Sequence, residues 1–566
     1  MSRQKVEKID FSRNRLKERA EKFYEAGEYP SALRFAYESI DRYGGDADAY
    51  VLLADIYENM GLHASAINWW FRFLDECIPE DLPEIYEGLA VNFLNLGNEA
   101  QSAFYYNKLL DVDDTLTEEN KAEIVDMFAP RGKEPFRFVY PPELADYTRE
   151  TRIGGLALKN GDLKSAVETL SKVEKGAKEY PVAMEMQAVA YLLAGDTQKA
   201  EEICLELTSD DPQNVQALAT LSAVYVEQGK TEKSKELAIQ LCKLPAKTTE
   251  EKYKIATVAC ENELHGVALE LFLDLEKELP YDGNMLFFKS VAAFKSGNER
   301  LAVRTLETLC SLYPDAAVAQ YYLKSIRKYV EDPLTAEYPE ITYFYRLPQK
   351  EREIRLQTLV ALGKTPKSEA ELIGRELERE GYFHWCFDEM DGMETDLQYL
   401  GVVTAERARA DGFLKSVLLD SELKDVLKLE LLRLLYERNE ENSFGVVICN
   451  IYRLVKTHKL RLGVKARGKF LAVYASLSSK FAVIADGYGE KIRSVTENLY
   501  AAFKREESWE YAKSETDVAC AVYLLCGFKE LGKTLQGAVN GFGAEPETVQ
   551  RIINIYTKTE EVKEKV

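Results

Sequence analysis

A glycine and a small residue recur through the first half of this chain in one fixed register. The glycines are Gly27, Gly61, Gly97, Gly161, Gly195, Gly229 and Gly297, spaced by 34, 36, 64, 34, 34 and 68 residues. Five positions after each stands a small residue: Ala32, Ala66, Ser102, Ala166, Ala200, Ser234 and Ala302. Ala268 fills the repeat skipped between Ser234 and Ala302, and there Glu263 replaces the glycine. A period of this length marks a chain built from stacked supersecondary units rather than one large core. At 566 residues the chain also exceeds what one ordinary core supports.

One copy shows the physics. In residues 181–214, PVAMEMQAVAYLLAGDTQKAEEICLELTSDDPQN, Met184, Gln187, Ala188 and Tyr191 fall on one face of a helix. Gly195 ends that helix, because glycine accepts a left-handed conformation without steric cost. Ala200, Cys204 and Leu207 line a second helix, which Pro212 stops. Ala188 and Ala200 are small where two helices approach closely. The product is an antiparallel helix pair with an apolar face that only the next copy can bury.

A helix-turn-helix unit of 34 residues with this pattern resembles the tetratricopeptide repeat (TPR) family. The copies fall at 13–46, 47–80, 83–116, 147–180, 181–214, 215–248, 249–282 and 283–316, with a capping helix at 317–330. The family's tryptophan near the start of each unit is replaced, for example by Tyr50 and Met184. The expected fold class is mainly all-α: a TPR α-solenoid superhelix, then a helical C-terminal domain with a small β-hairpin. The expected domains are 1–116 (three repeats), a proline-rich linker at 117–146, 147–330 (five repeats and cap) and 331–566.

The resemblance implies a protein-interaction scaffold that binds peptide or helical segments in a concave groove lined by first helices. By register the first block offers Asn14, Lys17, Glu21, Asp48, Asp55, Glu58, Glu84 and Glu87, a mainly acidic face suited to a basic partner. The second offers Leu158, Val189, Leu192, Ala223, Val226, Phe287, Val291 and Phe294. That apolar face suits an amphipathic helix, including one from this chain's own C-terminal part. The competing assignment for each position is inter-repeat core. Some family members clamp a C-terminal carboxylate with Lys and Asn; beside Lys17 stands Glu21 instead, so that function is not carried over.

After residue 333 the register disappears. PLTAEYPEITYFYRLPQ reads as a connector rich in proline and aromatics. Helical periodicity then resumes. SFGVVICNIYRLVKTHKLRLG, residues 443–463, is rich in Val and Ile and reads as a β-hairpin. Its end overlaps RLVKTHKLRLGVKARGK, residues 453–469, with seven Lys or Arg and no acid in a chain of net charge -22. Arg453, Lys456, Lys459, Arg461, Lys465, Arg467 and Lys469 are therefore candidates for an acidic or anionic partner, including the acidic inner face of the first block in the same or a neighbouring chain. A solvated charged face is the plain alternative.

Residues 517–556 resemble a helix-turn-helix, and with the preceding helix the end of a cyclin-like fold. Ala538-Val539, the turn at Gly543, Thr548-Val549 and Ile552-Ile553 carry that likeness. A recognition helix needs Arg, Lys, Asn or Gln at its N-terminus, and here that end carries Glu545 and Glu547. A structural helix pair is the favoured reading over a DNA reader. A TPR-linked regulator touching nucleic acid through the C-terminal domain is nonetheless the first alternative function. An enzyme within 333–566 is the second.

No catalytic constellation, cofactor or metal site is expected. The four histidines lie far apart, GKTPKS (363–368) lacks the glycine of a phosphate loop, and the acids of FHWCFDEMDGMETD (383–396) match no calcium loop. The nine cysteines are scattered without C-x-x-C, as in a reducing cytoplasm. The N-terminus shows no apolar signal segment, and no apolar run approaches a membrane span.

Overall fold

A computed structural model describes residues 11–113, 115–128, 147–159, 161–389, 394–438, 443–456, 465–481, 488–506, 509–512, 514–528 and 535–564. The chain is mainly helical, and its described strands form one two-stranded sheet. It divides into two compact units: residues 1–129 with 353–387 and 391–566, and residues 130–352 with 388–390.

Eight helix pairs follow the 34-residue register. The first three are α1 (Phe11–Glu25) with α2 (Tyr29–Tyr43), α3 (Ala47–Asn59) with α4 (His63–Glu76), and α5 (Leu82–Asn95) with α6 (Glu99–Val112). A further helix, α7 (Glu118–Met127), comes next. The other pairs are α8 (Thr148–Lys159) with α9 (Leu163–Leu170), α10 (Tyr180–Leu193) with α11 (Thr197–Asp210), α12 (Val215–Glu227) with α13 (Thr231–Leu241), α14 (Thr249–Glu261) with α15 (His265–Leu275), and α16 (Gly283–Lys295) with α17 (Glu299–Leu312). α18 (Ala317–Glu331) packs on α17.

The small residues sit where the sequence requires them. Ala32, Ala66, Ser102, Ala166, Ala200, Ser234, Ala268 and Ala302 are all 0% exposed. The two serines satisfy their hydroxyls locally: Ser102 donates to the Ala90 carbonyl at 2.8 Å, and Ser234 to Asn262 Oδ1 at 2.8 Å. Each turn repeats one hydrogen-bond pattern. Gly195 N donates to the Leu192 carbonyl at 3.0 Å and Asp196 N to the Tyr191 carbonyl at 2.9 Å.

The C-terminal helices are α19 (Gln349–Lys364), α20 (Lys367–Arg379), α21 (Tyr382–Asp388), α22 (Glu394–Arg407), α23 (Asp411–Leu419) and α24 (Asp425–Glu437). The hairpin β1 (Ser443–Ile448) and β2 (Ile451–Lys456) follows, antiparallel with Val447 opposite Tyr452. α25 (Lys469–Phe481), α26 (Tyr488–Glu506), α27 (Glu515–Leu525), α28 (Leu535–Phe542) and α29 (Pro546–Glu564) then share one apolar core.

The hairpin turns on Cys449 and Asn450, with φ of 49° and 61°. Two left-handed residues are what a two-residue turn needs to match strand twist. Asp425 holds Cys449 in place, accepting its backbone N–H at 3.1 Å and its thiol at 3.1 Å. The ribbon is wedged between the first helix block and the C-terminal helices: β2 packs on α4, and β1 on α23, α24 and α25. This covers α4, whose Trp69, Trp70, Phe71 and Phe73 are all buried, Trp69 against Tyr37 and Tyr50 and Phe71 against Phe93 and Tyr105. It also explains why β1 is buried almost throughout and shows no polar alternation.

Candidate protein-binding grooves

Positions 34 residues apart on the first helices of the second unit form two ladders: Val189, Ala223, Thr257 and Val291, and Leu158, Leu192, Val226, Cys260 and Phe294. Across α10, α12 and α14 these ladders border an open groove of about 590 Å³. Val189 and Leu192 line it with Ala219, Ala223, Tyr253 and Thr257. Leu158 is half-buried on α8, and Val226 is 40% exposed.

The groove's polar groups escaped the sequence reading. Lys254 faces Gln216 Oε1 across the groove wall. Burial pulls its ammonium down from the usual lysine range, against the charges of Glu250 and Glu185. Burial pushes the Glu185 carboxyl up, opposed by a 2.8 Å hydrogen bond from Asn214 Nδ2. Glu261 reaches solvent, yet the surrounding groove walls push its carboxyl up too.

Phe287, Val291 and Phe294 are corrected to core, at 0%, 0% and 3% exposure. Their cover is partly the connector after α18. Residues 338–347 run along α16 in the opposite direction and bend at 343–346, where Arg346 N donates to the Phe344 carbonyl at 2.8 Å. Tyr338 lies 5.3 Å from Phe294, Tyr343 lies 6.2 Å from Phe288, and Tyr345 lies 4.8 Å from Phe287, centroid to centroid. The Tyr343 hydroxyl meets His265 Nδ1 at 3.0 Å, and Tyr343 also hydrogen-bonds Cys260 at the end of α14. Ile341 and Leu347 are 2% exposed while Phe344 is 70% exposed, so side chains alternate inward and outward. The Tyr345 hydroxyl donates to Asp388, which also accepts Val318 N at 2.7 Å and so caps α18.

In the first block, Lys17 is a staple. Its ammonium bridges Asp46 at 2.7 Å and Asp48 at 3.0 Å, and so its charge is already paired. Glu21 is exposed. Asp55 is pushed up to about 6, by burial first and then by Glu58 and Glu84. Glu58 accepts Asn92 Nδ2 at 2.7 Å, and Asn92 Oδ1 meets His63 Nδ1 at 2.9 Å.

The basic run divides. Arg453 turns inward and is corrected: it is half-buried near Tyr105, Cys449 and Tyr474, and burial lowers its pKa. Lys459 and Arg461, and the side chain of Lys456, lie outside the described residues. Lys465, Arg467 and Lys469 are exposed, and Lys465 N donates to Glu497 Oε1 at 3.2 Å. Among the described residues the hairpin meets the first block through other groups. The Tyr452 hydroxyl donates to Asp75 at 2.7 Å, and the Tyr105 hydroxyl to the Asn450 carbonyl at 2.7 Å. Lys415 of α23 bridges Asp75 at 2.9 Å and Glu76 at 2.6 Å.

The helix-turn-helix-like segment presents no basic end. Asp517 of α27 accepts Glu545 N at 2.8 Å, placing a carboxylate at the start of α29 where a phosphate would have to sit. Among the described residues no group of three or more His, Cys, Asp or Glu is placed to hold a metal ion, and no helix is long and apolar enough to cross a membrane.

Two family models, each described as tetratricopeptide repeat, match residues 157–224 and 47–69. A curated relative, TPR repeat-containing protein YvcD of Bacillus subtilis (strain 168), is 24% identical over 275 residues. That match covers 48% of this chain and 55% of the relative, so the chain spans about half the relative's length. Similar solved structures include a tetratricopeptide repeat protein from Parabacteroides merdae, at 14% identity and a TM-score of 0.27, covering 57% of this chain and 99% of that one. The TPR2AB domain of yeast Sti1 in complex with pHSP90 gives 16%, 0.19, 48% and 98%. The human IFIT1 dimer with PPP-AAAA gives 14%, 0.27, 73% and 95%. Both family models fall inside the eight helix pairs that keep one 34-residue register, so that array is built from repeats of the tetratricopeptide type.

Proposed function

We propose that this protein is an interaction scaffold whose second repeat block holds a segment of a partner protein in the groove across α10, α12 and α14. Repeats of this family serve protein–protein interaction generally; the segment and its seat are the proposal. The observation that carries it is the open, apolar-walled groove of about 590 Å³ on the inner ladder. An accessible apolar concavity with a few fixed polar groups is the form that ligand sites take. The acidic inner face around Asp55, Glu58 and Glu84 is a second surface, for a basic segment. Exposed Lys465, Arg467 and Lys469 are a third, for an acidic protein partner. The nine free cysteines fit a reducing compartment, and the cytoplasm is the proposed location. The reading assigns no catalytic step and no cofactor.

Site-specific photo-cross-linking in the full chain tests it. A photoreactive residue at position 223 inside the groove should give discrete protein adducts that the same residue at 205, on the exposed face of α11, does not. Identical adduct patterns from both positions, or none from 223, would reject the groove as the binding surface.

A further inference from the structure

Lys254 is half-buried in the second unit without a counter-ion. It sits on α14 and lines the groove of about 590 Å³ with Leu192, Ala219, Ala223 and Val258. Its ammonium donates to Gln216 Oε1 on α12, a neutral amide. Among the described residues no carboxylate stands within ion-pair distance of it; Glu250 on its own helix and Glu185 on α10 act on it from further away. Other lysines of low exposure in this unit are paired. Lys252 reaches Asp274 at 2.6 Å, and Lys289 reaches Glu276 at 2.6 Å.

This setting changes what the amine can do. Taking water from an unpaired ammonium favours the neutral form, and burial holds Lys254 below the usual lysine range despite the pull of Glu250 and Glu185. Glu261, two turns further along α14, and Tyr253 are the other ionisable groups on the groove wall, and burial pushes both up. The neutral amine is the nucleophilic form, and a lysine desolvated in an apolar pocket is activated in this way. An ordinary lysine is neutral in about one molecule per thousand at about pH 7.4, so even a small lowering multiplies the reactive fraction.

We propose that Lys254 is an acylation site, whose amine takes an acyl group from a thioester with its aliphatic chain lying in the groove. Nζ attacks the thioester carbonyl carbon. The C–N bond forms, the C–S bond breaks, and the sulfur leaves as a thiol with the proton that the nitrogen gives up. Nothing is oxidised or reduced. The product suits the site. The amide keeps an N–H for Gln216 Oε1, so no polar group is stranded. The charge that burial penalises is gone, and the chain lies against Ala219, Ala223 and Val258. A chain of several carbons is favoured over acetyl, because each methylene taken from water adds to binding before the attack.

The full chain is incubated at about pH 7.4 with N-acetylcysteamine thioesters of acetate, butyrate and octanoate, and acyl occupancy at each lysine is read by peptide mass mapping. Lys243 and Lys277, both exposed, serve as references within the same chain. Octanoylation of Lys254 should be at least about tenfold faster than at either reference. At Lys254 octanoyl should outpace acetyl at least about tenfold, while at the references the two should react about equally. Ala223→Phe, which narrows the groove from α12, should abolish the preference for the longer chain, with circular dichroism confirming the fold.

Equal rates at Lys254 and the references overturn the proposal, and so does a Lys254 rate indifferent to chain length. An octanoyl preference of the same size at Lys243 and Lys277 also overturns it, since that marks adsorption over the whole surface. A preference that survives Ala223→Phe in a folded variant places the chain outside the groove and has the same effect. None of these results bears on the scaffold reading, which cross-linking from position 223 tests by itself.

Discussion

Seven of the eight repeat turns use a glycine with φ between 70° and 81°, and the eighth uses Glu263 at 57°. The left-handed region costs an ordinary residue about 1–2 kcal/mol. Glu263 N donates to the Cys260 carbonyl at 3.1 Å and Leu264 N to the Ala259 carbonyl at 2.8 Å, the same pattern as at Gly195. Glu263→Gly should therefore stabilise the second unit by about 1 kcal/mol, read as a rise in its melting temperature. A lower melting temperature would mean that the side chain makes a contact worth more than the strain. Asp388 gives a second residue-level test. Burial, then the charges of Asp315 and Glu389, push its pKa from 3.8 to about 7, against the hydrogen bonds from Val318 and Tyr345. An acid with a raised folded pKa holds its proton more tightly in the fold, so stability is lost as pH rises between 3.8 and about 7. Asp388→Asn keeps an acceptor for Val318 N and removes the titration. From about pH 5 to about pH 8 wild type should lose on the order of 3 kcal/mol relative to the variant. Parallel melting curves across that range would show that Asp388 does not titrate there.

At the scale of elements, helices whose burial is local were readable and helices whose burial is distant were not. Repeat boundaries followed from the turn glycine and the small residue, because both requirements act within one helix pair. The hairpin was readable from its Val and Ile content, but not its partner, because β2 meets α4 across more than 370 residues of sequence. The signal lay in α4 itself: NWWFRF is too apolar for the second helix of a repeat that faces water. The connector's signal was PEITYFYRL, where Pro339, Ile341, Tyr343, Tyr345 and Leu347 alternate with Glu340, Thr342, Phe344 and Arg346. Read as a linker, it left Phe287, Val291 and Phe294 as apparent groove. Arg453 misled for the reverse reason, since a charge run says nothing of which member points inward. Gly445 tests the hairpin joint. A Cβ there would collide with the Asp75 carboxylate and the Tyr452 ring. Gly445→Ala should destabilise the first unit by about 1–3 kcal/mol and break the Tyr452–Asp75 hydrogen bond. Tyr452→Phe lacks the same bond without the collision, so it should cost less. Equal losses would place the whole effect in the hydrogen bond.

At the scale of the molecule, the chain leaves its first unit after residue 129 and builds the second to residue 352. It then returns, apart from residues 388–390, to complete the first. The first repeat block therefore depends on residues that arrive more than 200 positions later. Asn68 donates to Asp420 at 3.1 Å and accepts Ser421 N at 2.8 Å, and Lys415 neutralises Asp75 and Glu76. The second array carries its own cap in α18 and the connector, which a stacked-repeat block needs to shield its last apolar face. The two should respond differently to truncation after Pro348. The second array should keep a cooperative calorimetric transition, lowered by loss of the hydrogen bonds that Asp388 and Glu389 accept from Val318, Tyr345 and Leu347. The first block should lose its transition and bind a hydrophobic dye, because α4 loses both β2 and α23, which pack on it. Asp388→Ala in the full chain, which removes the Val318 and Tyr345 anchor, should lower the second transition and spare the first. A truncated chain in which residues 11–128 still melt cooperatively would show that the hairpin shields a block already stable by itself.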